Sequence, residues 1–413
     1  MENINLKTYY MVIKILGDFV NNKIIDKDFF YENIIDVANE ENSQKIYIGR
    51  IYYIAKKHNL VSIMAQAMEN MGFESDSDVW KRWLKEKNRL IYKSVLMDVE
   101  REAIQEFFEK NNIWYMLLKG MVIRKYYPAP ELREMADNDI LFDNKYSKEV
   151  YEFMTARGYK SDDYNKGYHD EYLKPPAYNF EMHRQLVSSK ERPKWYEYYK
   201  DVKSILIKDT NENRETAANS ESNNTSNQFY FSDNDFYVYF IVHTYKHFLN
   251  SGMGLRTVLD VYLYVSNLQE KLDFDYIEEQ LKKLDAYDFE QTFRSIAFKM
   301  FDENLEDRKW WDLFDVKEQE MLSYVLDAGT YGNLENSVAH KMGYTKGEKK
   351  KTSDKAKYIF RRLFPSMDTI EEFFPFFYKH KWAIPFLYIY RIGKIPFTRR
   401  KKVAGELKEV FKK

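Results

Sequence analysis

Leu117-Leu118-Lys119-Gly120 is followed, after a short gap, by Arg133 and then by Asp137-Asn138-Asp139-Ile140-Leu141. One short segment thus holds a glycine turn with a cation, a second cation, and two carboxylates one residue apart. Gly120 lets backbone N–H groups approach phosphate oxygens, and the start of a following helix favours anions. Lys119 and Arg133 add charge to hold phosphates. In a strand, residues i and i+2 share a face, so Asp137 and Asp139 are expected side by side at one strand edge. Close carboxylates repel, and the pair is favourable only with a cation between them. Mg²⁺, which accepts one or two carboxylates together with phosphate oxygens, suits that place. Two-metal phosphoryl transfer usually wants a third carboxylate. Glu181 is the candidate, in the strand-like alternation Asn179-Phe180-Glu181-Met182-His183, where His183 shares its face. Taken singly these signals are weak: Asp-x-Asp recurs by chance, and Lys-Gly after a strand is more often only a turn. Their order and spacing together are much more specific.

The elements around the segment follow from periodicity. Residues 1–105 read as a helical region, with apolar residues at helical spacing in Tyr9–Phe19, Ile51–Ala55 and Val61–Met68. A long helix is expected from about Lys85 to Asn111, stopped by Asn111-Asn112. The pattern then changes. Ile113–Leu118 is a short apolar run of the kind a buried strand shows, entering the Lys119-Gly120 turn. A short helix over Met121–Tyr127, a strand over Asp139–Phe142, a helix over Ser147–Arg157 capped by Gly158, and strands over His169–Lys174 and Tyr178–Leu186 complete a small α/β core at 106–208. Residues 209–228 are polar without an apolar anchor and read as a mobile loop. A second helical domain is expected at 229–345 and a basic, aromatic tail at 346–413, with Lys346–Lys357 as a solvated connector. The expected fold class is α+β, mostly helical, with a small mixed sheet between helical regions.

Composition narrows the function. The chain has 413 residues and a formal net charge of -1, so nothing global argues for nucleic acid or an acidic surface. It has no Cys, which removes disulfides, thiolate nucleophiles and Cys-bound metals and fits a reducing cytoplasm. No signal peptide is apparent, and the most apolar segment, Trp382–Tyr390, is too short to span a bilayer and is broken by Pro385.

The order of apolar strand, glycine turn, helix, Arg, Asp-x-Asp and a distant acid on a strand resembles the polymerase-beta-like nucleotidyltransferase superfamily. The chain is most similar to the bacterial group described as uncharacterised nucleotidyltransferases. Beyond the blocks above, the likeness extends to Ala55–Val61, Phe180-Glu181-Met182-His183, His243-Thr244-Tyr245-Lys246-His247, Gly254-Leu255-Arg256 with Asp260, and the tail from Leu363 to Arg391. The turn departs from the superfamily's usual Gly-Ser or Gly-Gly, and Asn138 stands where an apolar residue is commoner. On a strand Asn138 would point away from the site. The resemblance implies transfer of a nucleoside monophosphate from an NTP, dependent on Mg²⁺ or Mn²⁺, with release of pyrophosphate. It implies that Asp137 and Asp139 bind both metals, and that Glu181 holds the catalytic one and helps deprotonate an acceptor hydroxyl. The acceptor (a small molecule, tRNA or protein) and the oligomeric state stay open. Two rivals remain: a toxin-like enzyme modifying tRNA or protein, and a degenerate nucleotide-binding or interaction module.

Other groups carry weaker signals. His243-x-x-x-His247 puts two imidazoles on one helical face, a spacing compatible with Zn²⁺. Thr244 follows His243, so no His-Glu-x-x-His protease motif exists, and a hydrogen-bonded helix facing the cleft is the plainer reading. The resemblance would place His243, Lys246, His247 and Arg256 on the nucleotide or acceptor side. Asp260 is i+4 from Arg256, as in a helix ion pair. The tail run Arg399-Arg400-Lys401-Lys402 is a solvated helix or a contact for RNA or acidic lipid.

Overall fold

The computed structural model describes residues 6–31 apart from 29, 43–210 apart from 163, 177 and 191, 226–301 apart from 251, 310–330, 332, 338, 352–394, 405, 410 and 411. Helices α1 (Leu6–Val20), α2 (Ser43–Lys57), α3 (Val61–Asn70) and α4 (Asp78–Lys110) precede the sheet. The long helix α4 stops where expected, with Asn112 at φ 55 taking the left-handed turn. It starts earlier than its apolar pattern suggests, because the Ser77 hydroxyl accepts from the Trp80 N–H and caps it.

Strands β1 (Tyr115–Leu117), β2 (Asn138–Phe142), β3 (His169–Lys174), β4 (Tyr178–His183), β5 (Ile207–Lys208) and β6 (Gln228–Tyr230) form one mixed sheet in the order β3-β4-β2-β1-β6-β5. The short helix α5 (Gly120–Ile123) follows β1, α6 (Ser147–Ala156) follows β2, and α7 (Pro193–Tyr199) follows β4. The chain continues through α8 (Asp233–Asn250), α9 (Leu255–Leu268), α10 (Phe274–Lys283), α11 (Tyr287–Phe301) and α12 (Val316–Ala328). It then runs through α13 (Thr352–Leu363), α14 (Met367–Phe373), α15 (Pro375–Lys379) and α16 (Ile384–Lys394). The fold is mostly helical α+β. Among the described residues no helix is long and apolar enough to cross a membrane.

Two segments differ from expectation. Gln228, assigned to the polar loop, belongs to β6, which pairs parallel to β1 and antiparallel to β5. Strands of two or three residues carry too little alternation to announce themselves. Residues 211–225 of that loop lie outside the described residues. The basic connector is helical from Thr352, where α13 turns Tyr358 inward and leaves Lys357 and Arg361 exposed. Lys346–Lys351 and the run Arg399–Lys402 lie outside the described residues.

The sheet divides the core by strand alternation. Ile140, Phe142, Phe180, Met182 and Tyr172 point to one face, where Ile104 and Phe108 of α4 and Val150 and Met154 of α6 cover them. Met116, Leu118 and Leu141 point to the other and join the large core built by α1–α3 and α8–α12. Asp139, Glu181 and His183 alternate onto that second face, so the helical bundle forms the ceiling over them.

A buried histidine joins the N-terminal helices to that ceiling. His58, just after α2, is fully buried. The Leu255 N–H at the start of α9 donates to its Nδ1 at 3.1 Å, so Nδ1 is the bare nitrogen and Nε2 carries the proton. Nε2 lies 3.1 Å from the Tyr9 hydroxyl, which in turn donates to the Leu326 carbonyl at 2.9 Å. Gly254 is glycine because a β-carbon there would come within 2.9 Å of that Nδ1 and 2.7 Å of the Thr330 nitrogen. Burial, helped by Lys57, pushes His58 down to about 3. It is therefore neutral when folded and ordinary when unfolded, so its stabilising contribution is complete above pH ~6.5 and is lost as pH falls towards 3. Between pH 7 and 5 that loss is about 2 kcal/mol. In urea titrations His58→Gln is expected to lower stability at pH 7 but to fall less steeply with acid; parallel pH slopes would refute this.

Candidate active site

The strand register assembles the acids. β2 and β4 run parallel with Asp139 opposite Glu181 and Leu141 opposite His183. His169 and Glu171 of β3 lie across from His183 and Glu181. Among the described residues, Asp139, Glu181 and His183 form a group whose ligand atoms all lie within 4.8 Å of one another. The strand beside the Asp-x-Asp segment thus carries the acid expected there. Asp137 is placed differently from expectation. β2 begins at Asn138, so Asp137 precedes the strand and stays outside the three-residue group. Asn138 does alternate away from the acids. It is 1% exposed, and both side-chain polar atoms lack a partner among the described residues.

Asp139 is the most heavily engaged group. Its Oδ1 accepts from Lys119 Nζ at 2.5 Å and from His183 Nε2 at 2.8 Å. Burial alone would raise its pKa, but Lys119 and His183 outweigh burial and hold the carboxyl well below the usual range. Burial likewise opposes charge on Lys119, and the Asp139 carboxylate overcomes it, so the ammonium stays protonated. His183 Nε2 also lies 3.5 Å from Glu181 Oε2. Burial opposes its charge too, yet its bonds to Asp139 and Glu181 raise its pKa above the ordinary value. Asp137 lacks such a partner. Burial and the neighbouring Asp139 carboxylate push it up to about 6, against a pull from Lys119. A half-buried carboxylate in that state is short of positive charge.

Lys119 reaches Asp139 because the Leu118 N–H donates to the Asp139 carbonyl at 3.0 Å, closing β1 onto β2. The chain then turns sharply, with Lys119 at φ 48. A β-carbon disfavours that backbone, and such outliers cluster at functional sites. Gly120 has a different reason from the one expected. A β-carbon there would sit 2.3 Å from Arg133 Nη1 and 2.7 Å from Met135 Cε, so the glycine makes room for the guanidinium behind the turn.

That guanidinium is not offered to phosphates. Arg133 is buried and grips Asp260 of α9 with Nε at 2.8 Å and Nη2 at 2.7 Å, while the Tyr127 hydroxyl donates to the same carboxylate at 2.7 Å. The expected Arg256–Asp260 helix pair is replaced by this cross-domain one. Arg256 instead donates through Nη1 to the Glu134 carbonyl at 2.7 Å, and its charge acts on Asp137. Its Nε is buried without a partner among the described residues.

α8 lines the site from above. His243 and His247 meet Nε2 to Nε2 at 2.9 Å, so one donates and the other accepts. Burial and the cation of Lys119 press both below the ordinary histidine value. No third ligand completes a metal set around them among the described residues. Lys246 donates to the Tyr168 hydroxyl at 2.6 Å and lies over its ring. Tyr239, one turn before His243, carries a buried hydroxyl with no partner among the described residues, close enough for Lys119 and Asp139 to act on it. The sequence reading had named His183 without giving it a role and had passed over His169, Tyr168 and Tyr239. Tyr239 stands four residues before His243, one helical turn away, whereas the place of His169 depends on the antiparallel register of β3 and β4.

Residues 44–302 match the family described as uncharacterised nucleotidyltransferase. The match covers more than half of the chain, and the chain belongs to that family: it is a nucleotidyltransferase. No curated protein and no solved structure matches it.

The Arg133–Asp260 pair is predicted to be structural. Asp260→Asn leaves a buried guanidinium half-paired and is expected to cost about 3–5 kcal/mol in denaturant unfolding. Unchanged stability would show that the pair carries little.

Proposed function

We propose that the chain transfers a nucleoside monophosphate from an NTP to an acceptor hydroxyl through a divalent metal, Mg²⁺ or Mn²⁺, held by Asp139 and Glu181, with Asp137 completing the acidic set. The pairing of Asp139 with Glu181 in adjacent strands, beside an Asp137 short of positive charge, is the observation that carries this reading. The donor set fits a hard cation: two carboxylates converge, His183 spends its Nε2 on Asp139, and the Lys119 ammonium already stands against Asp139 as a cation does. When bound, the metal supplies charge neutralisation at the phosphates and activation of the attacking oxygen.

The chain's own groups do the rest. Lys119 and Arg256 offer charge to the triphosphate, Lys119 by leaving Asp139 for the phosphate oxygens. Gly120 keeps the turn tight against that path. Glu181 accepts the proton of the acceptor hydroxyl. The acceptor oxygen forms a bond to the α-phosphorus as the bond from that phosphorus to the bridging oxygen breaks, and pyrophosphate leaves. His183 fixes the orientation of Asp139 and Glu181. His243, Lys246 and His247 line the nucleotide or acceptor side. Retention of all three acids supports an active enzyme over a degenerate binding module. Dependence on an intracellular NTP supply supports the cytoplasm as its place.

Incubation with each α-labelled NTP and Mg²⁺ in cell lysate tests the reading. Label is expected to pass to an acceptor, and Asp139→Asn and Glu181→Gln are each expected to reduce transfer by about 10²-fold or more. Full activity of both variants, with their folds intact, would sink the assignment.

A further inference from the structure

The strongest feature outside the site is the C-terminal segment. From residue 373 to residue 405 the chain carries Lys or Arg at 379, 381, 391, 394, 399, 400, 401 and 402 and no Asp or Glu, although its overall net charge is -1. Its helices also show an apolar face to solvent. In α16, Leu387 is buried, Tyr388 packs on Phe364, and Arg391 donates to the Arg362 carbonyl and lies over Phe374. The opposite stripe is Phe386 and Ile389, extended by Trp382 of the 3-10 turn Lys381–Ala383 that leads into α16; they are 61%, 67% and 75% exposed, with Phe376 of α15 also exposed. The spacing i, i+4, i+7 is one helical face. Scattered exposed apolar residues are ordinary, but a run of large ones on a single face marks an interaction surface. Lys379, His380 and Lys381 stand exposed beside it.

We propose that this face docks the protein on an anionic phospholipid surface, lying in the interface without crossing it. Aromatic and aliphatic side chains on one side of a short helix, with cations at its flank, are the pattern of interfacial binding. Lys379 and Lys381, exposed at its flank, complement an anionic leaflet. The eleven residues of α16 are too few to span a bilayer. A second copy of the chain would bring like charges together. A nucleic-acid surface would set cations between its stacking rings, whereas Trp382, Phe386 and Ile389 form an uninterrupted apolar stripe. The inference stands independently of the proposed chemistry.

Sedimentation of the full chain with vesicles tests it. Binding is expected to phosphatidylcholine vesicles containing phosphatidylserine, weakened by salt, and not to phosphatidylcholine alone. Trp382→Ser with Phe386→Ser, both at the surface, should leave the thermal melt unchanged and abolish sedimentation. Lys379→Gln and Lys381→Gln should each weaken it by about fivefold. The proposal is overturned if neither vesicle binds, if the serine variant sediments as the parent does, or if that face instead binds single-stranded RNA or makes a dimer.

Discussion

A buried carboxylate must find positive charge, and Asp139 is where that demand is sharpest. Its Oδ1 is shared by the Lys119 ammonium and the His183 imidazole, inside a protein layer that excludes most water. The same pair of cations must also serve Glu181 next to it and Asp137 two residues before it. Glu181 is held low by His183, while Lys119 only partly offsets burial and the Asp139 charge at Asp137, whose pKa stays raised. Even with Arg256 acting at longer range, these cations leave Asp137 undercompensated, and such a site favours a further cation. The proposed metal chemistry and the electrostatics of the strands thus agree.

Holding those groups together requires a rigid frame, since acids at close range push apart. The frame is made by buried polar contacts that run between elements distant in sequence. Arg133 and Tyr127 converge on Asp260 and tie the segment between β1 and β2 to α9. His58 ties the first residue of that same helix to α1 and α12. Gly120 and Gly254 stand where these contacts leave no room for a β-carbon. Removing one member of such a pair leaves a buried charge or donor without its partner, which is why these positions cost more than their contact area suggests. The frame is also what makes Arg133 unavailable to a substrate: its full set of strong contacts lies inside the fold.

Much of this was legible in the sequence. Strand alternation put Asp139 and Glu181 on one face with His183, and the apolar runs gave β1 to β4 and α6 nearly at their true ends. Helix α4 was short at its start because its cap, Ser77, lies ahead of the apolar pattern. β5 and β6 escaped because two or three residues hold no period. The partners of Arg133 and Asp260 escaped for a different reason. Spacing within one helix suggested Arg256 for Asp260, but a pair joining residues 127 positions apart depends on tertiary packing, which no local pattern encodes. Asp137 precedes the strand, as the strand expected from Asp139 allowed, and its carboxylate lies outside the three-ligand group. The tail was read as basic and aromatic, and its exposed stripe emerged only once the inward side of α16 was known.

Anomalous scattering from Mn²⁺, in crystals grown with a non-hydrolysable NTP analogue, is the most direct measurement. The expected result is a peak bridging Asp139 and Glu181, triphosphate oxygens beside it, and Lys119 Nζ moved from Asp139 to the phosphates. Metal and nucleotide bound elsewhere, with the Lys119–Asp139 contact intact, would contradict it.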